Sequence, residues 1–128
     1  MQLKNDIESR NALDQTIYAY YKKVGNRHVR NFSHAVDPSE MHFDTYFLVD
    51  RKHVIRYGIN FDRGFWLGAV ALGIGPHYFG AADFWSYENS TRFTLEATTE
   101  GVEKNLALLD EFLGYKYPKP WETTRKLE

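Results

Sequence analysis

The sequence predicts an α+β fold: an N-terminal helix, an antiparallel meander of four or five strands and a C-terminal helix, packed as a two-layer sandwich. Three observations carry that prediction. Apolar residues recur at helical spacing near both ends of the chain, over 3–24 and 102–113. Between them, stretches of alternating character rich in β-branched and aromatic residues are joined by short links, which makes neighbouring strands antiparallel. The third is the run 64–75, uncharged, opened by Phe65 and Trp66 and punctuated by Gly68 and Gly73. Glycine at that density disfavours a helix. The run therefore reads as a long strand near the middle of the sheet, covered on both faces and approached closely by other backbone at its glycines.

The first helix carries Leu3, Ile7, Leu13, Ile17, Tyr20, Tyr21 and Val24 on one stripe. Lys22 and Lys23 sit in its last turn, against the negative end of the helix dipole, and Gly25 is its stop. In 27–36, His28, Arg30, Phe32, His34 and Val36 would share one face, with Val29 and Ala35 on the other. Neither face is cleanly apolar, which suits an edge strand or an extended loop. Asp37-Pro38-Ser39-Glu40 has the cap and the proline of a helix start, sustained for a single turn.

Phe43, Thr45, Phe47 and Val49 then alternate with Asp44, Tyr46, Leu48 and Asp50 as a strand. Asp50-Arg51-Lys52 makes a hairpin loop into a second strand, with His53, Ile55, Tyr57 and Ile59 on one face. Residues 60–64 form a turn-rich link into the glycine-punctuated strand, which Gly75-Pro76 ends. Residues 78–87 hold Phe79, Phe84, Trp85 and Tyr87 without a clean period, as a loop on the core or a strand broken at Gly80. Thr91, Phe93, Leu95 and Ala97 alternate with Arg92, Thr94 and Glu96, giving the last strand. Thr98 or Thr99 caps the final helix, whose stripe is Val102, Leu106, Leu109 and Leu113, widened by Phe112 and stopped by Gly114. The chain reads as one domain over 1–117, with an irregular tail over 118–128 where Pro118 and Pro120 bar a helix.

Composition narrows the chemistry. Nine Tyr, nine Phe and three Trp in 128 residues supply an aromatic core and, where exposed, contact residues. The absence of cysteine excludes disulfides, thiol catalysis and cysteine-ligated zinc, and fits a reducing compartment. The first residues lack the apolar segment of a secretory signal, and no apolar run reaches membrane-spanning length. A soluble cytoplasmic protein without membrane association is expected.

A net charge of −1 gives no overall pull toward nucleic acid. Residues 22–34 do carry Lys22, Lys23, Arg27 and Arg30 with no acid, but the basic segment 22–30 lacks the interleaved aromatics that stack bases. The five histidines form no i, i+4 helical pair, so no metal site is expected. The segment 73–80 has the glycines of a phosphate loop but lacks its Lys-Ser/Thr, and Pro76 removes an amide donor. Ser33 and His34 are adjacent, on opposite faces of any strand, and Ser86 has no nucleophile elbow. Asp44 and Glu96 read as solvated face residues. No catalytic residue and no cofactor is expected.

An N-terminal helix closing on Tyr20-Tyr21-Lys22-Lys23-Val24-Gly25, an aromatic meander through 43–97, and Thr98-Thr99-Glu100-Gly101 leading into a Leu-rich helix resemble small bacterial immunity proteins of polymorphic toxin systems. The resemblance implies a non-catalytic protein-binding module, monomer or homodimer, that neutralises a cognate toxin. Such proteins share no catalytic residues, so none is transferred. Many that block nucleases are strongly acidic, and this nearly neutral chain points away from a nuclease target.

The binding surface is expected in the acid-rich part of the chain, at Asp83, Trp85, Tyr87 and Glu88, where aromatic anchors stand beside charges on an unpatterned stretch. A small-ligand or enzymatic domain is the rival reading, with a pocket lined by Tyr57, Trp66, His77 and Trp85.

Overall fold

The computed structural model describes residues 1–36, 41–74 and 76–115. Asp37-Pro38-Ser39-Glu40, Gly75 and the tail 118–128 lie outside the described residues.

Helix α1 (Ile7–Lys23) starts later than its apolar stripe suggests. Asp6 is the cap, its Oδ1 accepting the Ser9 N–H at 2.7 Å. Leu3 is buried ahead of the helix, in an extended segment whose Leu3 N–H donates to the Ala97 carbonyl at 2.6 Å. Ile7 is left 71% exposed, and the working stripe is Leu13, Ile17, Tyr20 and Tyr21. Gly25 takes the left-handed conformation, φ +101°, just past the helix end.

Five strands follow: β1 (Val29–Val36), β2 (His42–Val49), β3 (His53–Asp62), β4 (Phe65–Ile74) and β5 (His77–Gly80). They form one sheet in the order β1-β2-β3-β4-β5, every pair antiparallel. Short helices α2 (Ala81–Phe84) and α3 (Tyr87–Ser90) lead to α4 (Thr99–Leu113). β1 is an edge strand, with a bulge where its register shifts between Asn31 and Ser33.

The structure departs from the sequence reading in two places in the sheet. Residues 91–97 are not a strand. Thr94 gives its N–H and its carbonyl to the Asn105 side chain, at 2.9 and 2.8 Å, so they are not available to a ladder. Its backbone is joined to β4 by the isolated bridge between Leu67 and Glu96 and by the Gly68 N–H donating to the Leu95 carbonyl, not by a ladder. The fifth strand is instead the four residues of β5.

Nor is β4 the middle strand covered on both faces. β3 is central, and Ala69 and Phe65 of β4 are exposed. The β4 glycines do mark close approach. A Cβ at Gly68 would sit 3.3 Å from the Glu96 carbonyl oxygen.

α1 and α4 cover one sheet face. Phe43, Phe47, Ile55, Tyr57, Ile59, Val70 and Leu72 meet Leu13, Ile17, Tyr21, Val102, Leu106 and Leu109 in a single core. Helix α4 begins with the Thr98 Oγ1 accepting from Gly101 N–H at 2.9 Å. Gly101 is pressed against the preceding segment: a Cβ there would lie 2.7 Å from the Glu96 carbonyl. Alanine is the better helix former by about 1 kcal/mol. Gly101→Ala is nevertheless expected to destabilise by about 1–3 kcal/mol, since the obstacle is backbone. A urea midpoint raised by Gly101→Ala would contradict this.

The end of the sandwich is held by Arg27. Its Nη1 donates to Asp110 Oδ2 at 2.6 Å, and its Nη2 donates to Asp50 Oδ2 at 2.6 Å. The guanidinium carbon stands 3.5 Å from the Tyr115 ring centroid, and Tyr20 Oη donates to Asp110 Oδ2 at 2.7 Å. Burial alone would pull the guanidinium pKa down; the bonds to Asp50 and Asp110 outweigh it and raise it above its ordinary value. The end of α1, the β2–β3 hairpin and the end of α4 are thus joined through one cation. Arg27 is thereby withdrawn from the surface, while Lys22, Lys23 and Arg30 stay exposed.

Candidate functional site

Alternation along β2 and β3 sends His42, Asp44, Tyr46 and Leu48, and Val54, Arg56, Gly58 and Asn60, to the face that α1 and α4 leave uncovered. A ridge of rings crosses this face. Phe32 and Tyr46 have centroids 6.2 Å apart, Tyr46 and Tyr78 5.4 Å apart, and the Arg56 guanidinium stands 5.1 Å from the Tyr78 ring. Two local features permit it. The β1 bulge brings Phe32 against Tyr46, and Gly73, paired with Tyr78, leaves the space that ring occupies. A Cβ at Gly73 would lie 2.8 Å from Tyr78 Cε1.

Beside the ridge is a depression of about 370 Å³. Its floor is short side chains and none, from Gly58, Ala69, Ala71 and Gly80, with Leu67 and Leu95 also lining it. One corner is polar. His42 Nε2 is 2.8 Å from Asp44 Oδ2, and Arg56 Nε is 4.0 Å from Asp44 Oδ1. Asp44 is buried rather than solvated, because Gly58 makes room for it: a Cβ there would fall 2.5 Å from Asp44 Oδ1. Among the described residues, those lining the depression include no side-chain hydroxyl, thiol or amine beside the His42–Asp44 pair.

The residues expected at the binding surface divide. Asp83 on α2 and Glu88 on α3 are exposed, and Tyr87 is 82% exposed. Trp85 turns inward, 5.9 Å from both the Phe93 and Phe112 rings, and fastens the connection to α4. The four residues of the rival pocket are drawn into separate packing contacts. Tyr57 is fully buried, its hydroxyl oxygen accepting from Asn105 Nδ2 at 3.0 Å. Burial pushes its pKa up to about 12 against the pull of that bond. Trp66 packs on Phe61 near the start of β4, while His77 pairs with Ile74 at its far end.

A second polar cluster sits where α1 meets β1. Asp14 Oδ2 is 2.6 Å from His34 Nε2, and its Oδ1 accepts from Thr45 Oγ1 at 2.8 Å. Thr45 donates to the carboxylate and not to the imidazole, so this is a fastening between elements rather than an activated hydroxyl. Among the described residues no three or more His, Asp or Glu are grouped to hold a metal ion, and no helix is long and apolar enough to cross a membrane. No family model, curated protein or solved structure matches the chain.

Proposed function

We propose that the protein is a non-catalytic protein-binding module of the immunity type, which neutralises a cognate bacterial toxin in the cytoplasm by docking it on the uncovered sheet face. The observation that carries this reading is the ridge of Phe32, Tyr46 and Tyr78 beside Arg56. Aromatic residues and arginine are the types that dominate binding energy at interfaces. Here they stand on strands, where the backbone holds them in place, and Phe32 is 48% exposed.

Asp83, Tyr87 and Glu88 offer a second exposed surface, so the test compares the two. The candidate toxin is the product of the gene beside this one, titrated calorimetrically against three forms of the protein. Phe32→Ala with Tyr46→Ala is expected to weaken binding by about 100-fold, while Asp83→Lys with Glu88→Lys changes it by less than about threefold. The opposite ranking moves the docking surface to the acidic side. Absence of binding by the unmodified chain ends the immunity reading.

A further inference from the structure

We infer that the depression beside the ridge is a carboxylate-binding site, and that what it takes from a docked partner is an Asp or Glu side chain set among apolar neighbours. The inference rests on the reading of this face as a docking surface and adds the chemistry of the partner's contact.

It follows from which hydrogen-bonding groups at the polar corner are already used. Among the described residues Asp44 is the only carboxylate lining the depression, and its side chain is 9% exposed. One of its oxygens is engaged by His42, and the other faces Arg56. With one oxygen bonded to His42, the Arg56 charge close by and most of its surface covered, it is poorly placed to meet a cation. Arg56 is in the opposite position. Its Nη1 and Nη2 make no hydrogen bond among the described residues, and its side chain remains 38% exposed. The Tyr78 ring beside it limits the planes the guanidinium can adopt.

His42 gives its Nε2–H to the Asp44 carboxylate, which leaves Nδ1 an acceptor on the neutral ring, so the donors that meet a ligand are those of Arg56. A planar cationic fork with two unused nitrogens matches a carboxylate, which presents two acceptor oxygens in one plane. The floor sets what is attached to it. Apart from the Asn60 amide, the described lining beyond that corner, among it Gly58, Ala69, Ala71 and Gly80, offers no polar side-chain atom, so the body beyond the carboxylate is mainly apolar. A neutral polar ligand could accept from Arg56 but would gain less from its charge than a carboxylate. A cation would meet that charge directly.

The chemistry is tested on the isolated chain by NMR titration with benzoate, a carboxylate on a flat apolar body, and with benzamide, its uncharged counterpart. Benzoate is expected to saturate in the millimolar range and to shift signals of His42, Arg56 and Gly58, with benzamide weaker by about tenfold. Arg56→Gln, at a half-exposed position, is expected to weaken benzoate by about tenfold without changing the melting temperature. Phe32→Ala, outside the depression, should leave benzoate binding as it was.

Equal binding of the two probes, or benzoate binding unchanged by Arg56→Gln, overturns the inference. With the toxin, Arg56→Gln is again expected to cost about tenfold. If Phe32→Ala weakens that complex and Arg56→Gln does not, the docking surface stands and the carboxylate contact falls. If neither weakens it, both fall.

Discussion

Replacing Arg27 by Met is expected to cost about 3–5 kcal/mol, because it strands a buried carboxylate. The Asp110 side chain is 2% exposed, and its Oδ1 already lacks a hydrogen-bond partner. Without the guanidinium, Asp110 keeps the Tyr20 hydroxyl but no countercharge among the described residues. Asp50, at 29% exposure, recovers part of its loss from water, so most of the cost falls on Asp110. Urea denaturation measures it. Arg27→Met with Asp110→Leu should be more stable than Arg27→Met alone, since the second change removes the stranded charge. That comparison remains informative if the single variant folds poorly. Arg27→Lys should fall between, since one ammonium cannot reproduce a fork that bonds Asp50 and Asp110 at once. A single variant as stable as the parent would mean that Asp110 is reached by water.

Leu106→Ala is expected to cost about 2–5 kcal/mol. Leu106 is fully buried in the core, between the α4 backbone and the sheet, and so is Leu109 one turn later. Truncation removes apolar contacts and leaves a cavity that two layers cannot close without moving the helix. Leu113, only partly buried at the helix end, should lose less on the same change. The urea midpoint should fall while its dependence on denaturant concentration stays constant, since the unfolded state is unaltered. A Leu106→Ala cost no larger than that at Leu113 would contradict the placement of α4 on the sheet.

Where the sequence was legible, one local rule was enough. The period of two over 43–49 and 53–59 gave β2 and β3, and Thr98 with Gly114 framed α4. It misled where a long-range partner decided the outcome. Leu3 fits the stripe of α1, but Ala97 holds it outside the helix. Thr91 to Ala97 alternate correctly for a strand, yet Asn105, on the next helix, captures the backbone of Thr94. β5 is four residues long, too short for any period to show.

The candidate site was half visible. Asp44, Tyr46 and Arg56 fall on the polar side of their strands, and that side is ordinarily solvated. Only the pairing register shows that Tyr78 reaches back to Tyr46 across Gly73. Gly58 is the signal carried by the sequence itself: a glycine inside an otherwise strong strand marks a neighbour that needs the space. Here the neighbour is a carboxylate. Trp85 illustrates the reverse, an aromatic in an unpatterned stretch that looks available and is spent on packing.

The bulge in β1 also bears on self-association. An edge strand normally offers another chain an unbroken row of amide and carbonyl groups, the template from which sheets extend into aggregates. Here the row loses its register between Asn31 and Ser33. The Asn31 side chain takes up the Ser33 and Tyr46 carbonyls, at 3.2 and 3.1 Å, and Thr45 Oγ1 at 2.8 Å. An incoming strand in register with one half of β1 is out of register with the other. The feature that delivers Phe32 to the sheet face therefore also makes this edge a poor seed for a growing sheet.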